Sequence, residues 1–157
     1  MATPFQKSEL LVRQATAADL PQLIELRWAS SIEDDVVREP RPAFEARMRA
    51  FLERAIADPR WAVWVAVGGD RLVTTVYAQI VPKVPRPSPS GAWVYLAGMF
   101  TRAERRGEGI GSRVLGAVRE WATLRGLELI MLWPSERSVP FYERAGFREA
   151  DALELEL

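Results

Sequence analysis

Three glycines in five residues, Gly107, Gly109 and Gly111, stand between two apolar runs of different period. Before them, Trp93 to Phe100 is nearly continuous in apolar residues, the pattern of a buried strand. After them, Ile110, Val114, Val118, Trp121 and Ala122 recur at helical spacing, and Gly126 is placed to stop that helix. A strand that passes through a glycine turn into an amphipathic helix buries both elements only if a sheet carries a helical layer. The segment therefore points to an α/β or α+β class before the rest of the chain is considered.

The remaining elements keep the alternation. Leu10 to Arg13 reads as a short strand, and Thr16-Ala17-Ala18-Asp19 has capping-box form ahead of Leu20, Leu23, Ile24 and Trp28. That spacing predicts a helix with one buried face up to about Ala29, before the acidic Glu33-Asp34-Asp35 breaks the pattern. A second helix is predicted from about Pro42 to Asp58-Pro59, with Phe44, Met48, Phe51, Leu52 and Ile56 on one side. Trp61 to Val67 and Arg71 to Val81 form a hairpin through Gly68-Gly69-Asp70, and Pro82, Pro85, Pro87 and Pro89 crowd an exposed loop. Gly98 interrupts the next strand, where a bulge or a close backbone approach is expected. Leu127 to Trp133 reads as a buried strand, Val139 to Ala145 as a short helix closed by Gly146, and Ala152 to Leu157 as a terminal strand. The expectation is one domain over residues 1–157, built on one mixed sheet.

Composition narrows the chemistry. With 48% hydrophobic and 27% charged residues the chain is neither a disordered nor a membrane sequence. Lys plus Arg and Asp plus Glu are both 21, so no net field draws in nucleic acid or an anionic bilayer. Cys and His are both absent, which excludes disulfides, thiolate nucleophiles, Cys-His chemistry and Ser-His-Asp triads, and leaves no expectation of a metal site. The start, MATPFQKSELLVRQ, has no apolar run between a basic head and a cleavage site, so a soluble cytoplasmic protein is expected.

The glycine turn offers free N–H groups and the positive end of a helix dipole, which suit an anion such as a diphosphate, and Arg106 adds a formal charge. Its plain alternative is tight strand-to-helix packing. A helix terminus supplies about 0.3–1 kcal/mol per charge, whereas micromolar affinity needs about 8 kcal/mol, so any ligand must be long enough to make other contacts. A phosphate loop of the G-x-x-x-x-G-K-[ST] kind is excluded, because no Lys lies near. In the dinucleotide pattern G-x-G-x-x-G/A the third place counted from Gly107 is Ser112, although Glu128 lies about twenty residues on.

Arg106, Gly109 and Gly111 fill the pattern Q/R-x-x-G-x-G/A, and downstream Ser138-Val139-Pro140-Phe141-Tyr142-Glu143-Arg144-Ala145-Gly146-Phe147 looks like a FYEKxGF segment. Two such motifs in this order resemble the GNAT superfamily of N-acetyltransferases. The resemblance implies a single-domain α+β fold with a mixed, mostly antiparallel sheet, splayed central parallel strands and flanking helices. It implies acetyl-CoA as cosubstrate, with pantetheine along Met99, Phe100 and Thr101 and the diphosphate on Arg106, Gly107, Glu108, Gly109, Ile110, Gly111 and Ser112. Ser135 and Ser138 stand where the family often has Asn and Ala, and are expected to touch the cofactor.

The resemblance also places Tyr142 at the thiol, as acid for the leaving sulfur; the bland alternative is an aromatic cluster of Phe141, Tyr142 and Phe147. The backbone N–H near Met99 is the expected oxyanion donor. Some members carry a glutamate base on the strand Trp93 to Thr101; this chain has none there, which leaves Glu33, Asp34, Asp35 or water. The acceptor is expected to be a small-molecule or peptide amine, with no nucleic acid or membrane partner, and the resemblance allows a homodimer. Because the base is unassigned, a non-catalytic acyl-CoA-binding regulatory domain stands as the alternative to a transferase.

Overall fold

A computed structural model describes residues 9–89 and 91–157. Residues 1–8, inspected above for a leader, lie outside the described residues. The elements run β1 (Leu10–Gln14), α1 (Leu20–Glu33), α2 (Arg41–Ala57), β2 (Trp61–Gly68), β3 (Arg71–Pro82), β4 (Ala92–Thr101), α3 (Ile110–Leu124), β5 (Ile130–Met131) and α4 (Val139–Arg144). Five strands form one sheet in the order β1-β2-β3-β4-β5, antiparallel throughout except for the parallel β4–β5 pair. This is the mixed, mostly antiparallel α+β architecture expected, with the parallel pair at one end of the order.

Side chains alternating along the strands feed two apolar clusters, one for each face of the sheet. Ala62, Val73, Val76 and Leu96 pack with Ile110, Val114, Val118 and Trp121 of α3, while Val63, Val65, Leu72 and Tyr77 pack with Leu20, Leu23, Leu26 and Leu52 of α1 and α2. Where β1 hands over to α1, Asp19 is buried; its carboxylate accepts from Arg13 at 2.7 and 3.0 Å and from the Thr16 N–H at 2.8 Å. Arg13, opposed by desolvation, holds that carboxyl below its ordinary range.

Three expectations are corrected. The first helix does not stop at about Ala29 but continues to Glu33, with the Ser31 hydroxyl donating back to the Arg27 carbonyl at 2.9 Å. Within Leu127 to Trp133 the strand itself is only Ile130–Met131, preceded by backbone bonds from Glu128 N–H to the Ala92 carbonyl at 3.0 Å and from Val94 N–H to the Leu129 carbonyl at 2.9 Å; Leu129 and Trp133 are exposed, and no pairing with β4 follows Tyr95↔Met131. Ala152 to Leu157 forms no strand; Leu153, Leu155 and Leu157 alternate but find no ladder, and stay exposed. No helix among the described residues is long and apolar enough to cross a membrane, and no group of three or more His, Asp or Glu there suits a metal.

Candidate functional site

The site is organised by what β4 does past its middle. Register against β3 runs Ala78↔Leu96 and Tyr77↔Ala97, then resumes at Thr75↔Phe100, so Gly98 and Met99 together stand opposite Val76. This is the bulge expected at Gly98, whose φ of 62° is left-handed. A Cβ there would stand 2.8 Å from a ring carbon of Tyr77, so glycine is required by space as well as by φ. On its other side β4 pairs with β5 only at Val94 and Tyr95. From Leu96 to Thr101 that edge has no strand neighbour among the described residues. After the bulge the side chains part: Met99 packs with the α3 cluster and Phe100 with the α1–α2 cluster.

β4 leads through the short 3-10 turn Ala103–Arg105 into the glycine segment. Gly109 caps α3 with φ of 74°, and a Cβ on it would meet nothing within 4 Å. The first intrahelical bond beyond it is Arg113 N–H to Gly109 O at 3.1 Å, which leaves the amides of Ile110, Gly111 and Ser112 ahead of the ladder. Gly107 is also left-handed and open. Gly111 differs, since its Cβ would press on Met99 and Phe141 at 3.3 and 3.4 Å. The turn thus divides: Gly107 and Gly109 leave room, whereas Gly111 permits tight packing, and the Ile110 side chain belongs to the core.

Arg106 is not a waiting cation. Its Nε donates to the Thr101 carbonyl at 3.0 Å, its guanidinium lies 5.4 Å from the Phe100 ring centre, and its Nη2 donates to Glu33 at 2.8 Å. Arg137 approaches the same carboxylate at 3.2 Å and Asp34 at 3.7 Å. Hydrogen bonding from Arg106, with the charge of Arg137 added, holds the Glu33 carboxyl below its ordinary value. A carboxylate so stabilised is a poor proton acceptor, which argues against Glu33 as the base. Glu108 is paired with Arg105 at 2.7 Å. Thr101 meets Thr74 hydroxyl to hydroxyl at 2.9 Å.

Ser135 and Ser138 bind each other. Their hydroxyls are 3.1 Å apart, and both the hydroxyl and the N–H of Ser138 donate to the Ser135 carbonyl at 2.9 Å. They shape the turn into α4. Tyr142 sits edge-on to Phe141 and Phe147 at 5.0 and 5.4 Å, so the aromatic cluster is real; burial pushes its phenol above the ordinary value. It stays protonated at neutral pH, as an acid must.

Sequence reasoning passed over Arg27; Tyr77, an aromatic on a strand face, reads from the sequence as a core residue that could instead line an acceptor pocket. The Tyr77 hydroxyl is buried with no hydrogen-bond partner among the described residues, and burial pushes it up to about 12. Nη1 of Arg27 lies 3.6 Å from the Cβ position of Gly98, beside the bulge. Only the break at Gly98 hinted that something would press there.

Comparison with known proteins fits this geometry. A predicted acetyltransferase from Clostridium acetobutylicum, solved with acetyl-CoA, shares 23% identity, with 94% of this chain and 96% of that one covered and a TM-score of 0.80. A transcriptional regulator from Bacillus halodurans is equally similar, at 23% identity, 95% and 100% coverage and a TM-score of 0.80. Glucosamine-6-phosphate N-acetyltransferase from Arabidopsis thaliana shares 18% identity over 95% and 98% of the chains, with a TM-score of 0.73. No curated relative matches in sequence. The acetyltransferase (GNAT) family model matches residues 20–147, a span that takes in the bulged strand, the glycine turn and α4 together, and the chain belongs to that family.

Proposed function

We propose that the protein transfers an acetyl group from acetyl-CoA to the amine of a small molecule or peptide, directly within a ternary complex. The observation that carries this reading is the edge of β4 from Leu96 to Thr101, which no strand among the described residues covers and on which Arg106 Nε holds the Thr101 carbonyl, leading to the open amides of α3. A pantetheine arm has amides that pair with a strand edge, and a diphosphate takes N–H donors at a helix start, so the two features match the two halves of one ligand. Met99, Phe100 and Thr101 serve the first half; Gly107 to Ser112 serve the second, with Arg106 once it exchanges Glu33. Ser135 and Ser138 contribute their hydroxyls to the same ligand.

Bound there, the thioester supplies an acyl carbon ready for attack. The amine nitrogen forms the new C–N bond, the C–S bond breaks, the amine proton leaves to water and Tyr142 donates a proton to sulfur. The Met99 N–H, at the bulge, faces the developing oxyanion. With no Cys in the chain, no cysteinyl intermediate intervenes. In this reading residues 1–157 are taken as a single N-acetyltransferase domain.

Calorimetry with CoA and acetyl-CoA tests the donor, and thiol release with a panel of amines tests transfer. Micromolar binding with release is expected. Absence of heat from either ligand overturns the reading; binding without release to any amine favours the non-catalytic domain.

A further inference from the structure

We infer that the acceptor amine carries an anionic group, a carboxylate or a phosphate, and that Arg27 and Arg38 receive it in a cavity between α1 and α2. The inference rests on the acetyl-transfer reading above. The cavity, about 210 Å³, is walled by Arg27, Trp28, Arg38, Glu39, Phe44 and Arg47 among others. At about 30 Å³ per water it has room for roughly seven waters, which suits a small molecule or one side chain.

Its charge is lopsided. Three of the four charged wall residues are arginines, and the single carboxylate, Glu39, is taken by Arg47. Arg38 donates to the Val37 carbonyl, and among the described residues neither it nor Arg27 has a carboxylate oxygen within 4.0 Å. Arg27 is half-buried, where an uncompensated charge is costly and an arriving anion offsets that cost. It also lies against Gly98, next to the amide assigned to the carbonyl oxygen, so an anion held there leaves an adjacent amine beside the acyl carbon. Trp28 and Phe44, with ring centres 5.4 Å apart, give the ligand an apolar wall.

Matched pairs test this: L-phenylalanine against 2-phenylethylamine, and phosphoethanolamine against ethanolamine. Each is assayed for thiol release with acetyl-CoA and, separately, for a rise in Tm without it. The anionic member of at least one pair is expected to show a KM at least about tenfold lower, and which pair responds separates carboxylate from phosphate. Arg27→Gln is expected to raise that KM about tenfold, well beyond any change for the neutral partner amine, and Arg27→Lys to recover part of the loss. Preference for the neutral members, an unchanged KM in Arg27→Gln, or rejection of all four probes overturns the inference. If CoA does not bind, the transferase reading falls on its own; an Arg27-dependent Tm rise with an anionic probe then still upholds the pocket, and no rise overturns it.

Discussion

Gly98 on β4 and Gly109 at the start of α3 share a left-handed backbone, with φ of 62° and 74°, but their surroundings are opposite. A side chain on Gly98 would strike the Tyr77 ring; one on Gly109 would meet open space. The first glycine is demanded by the fold, which folds the bulge over a buried aromatic. At the second, backbone geometry again calls for glycine, but the space around it is empty, and the function proposed above gives that space to a ligand. The two regions therefore predict different losses on substitution.

The sharpest break is Gly98→Ala. Left-handed strain of about 1–2 kcal/mol adds to overpacking of about 1–3 kcal/mol against Tyr77, so urea unfolding should show a loss of about 2–5 kcal/mol. Wild-type stability in this variant sinks the comparison. Gly109→Val should lose only the strain, about 1–2 kcal/mol, yet weaken CoA binding by about a hundredfold in calorimetry, because its branches fill the approach to the amides. Undiminished affinity would return the glycine turn to a packing role.

Tyr142→Phe sharpens the contrast on the α4 side: kcat is expected to fall about a hundredfold with CoA affinity unchanged, whereas a purely aromatic role leaves kcat intact. The smallest effect is expected at Glu33. Exposed ion pairs are worth about 0.2–1 kcal/mol, so Glu33→Gln should tighten CoA binding by about two- to fivefold as Arg106 is released. Because the folded-state carboxyl is held below 4.5, the pair adds its full share of stability above about pH 4.5 and loses it as pH falls through the lowered value. The stability difference between wild type and Glu33→Gln should therefore be present at pH 7 and vanish in acid; a constant difference argues against the pair.

The half of the candidate site proposed for the donor is built from features legible in the sequence, whereas the half proposed for the acceptor is not. Strand, glycine turn and helix are contiguous, and conformational demands on glycine and apolar period are local, so Trp93 to Leu124 could be read in order. The contacts that change the chemistry are distant in sequence: Glu33 meets Arg106 across 73 residues and Arg137 across 104. Nothing in Glu33-Asp34-Asp35 told an ion-paired carboxylate from a free one. Arg27 likewise read as an ordinary polar position on a helix until α1 brought it over the bulge.

The terminal segment shows the same limit from the other side. Ala152 to Leu157 has strand alternation, but a strand exists only where a ladder receives its N–H and C=O groups, and no composition supplies that neighbour. What the amino-acid order determined by itself was the class of fold, the helix and strand sequence as far as α4, and the places where only glycine satisfies the backbone. Tertiary structure decided which edge of β4 stays open, which arginines are already satisfied and which face the cavity, because charge pairing and strand pairing are set by neighbours that chain folding brings together from far apart.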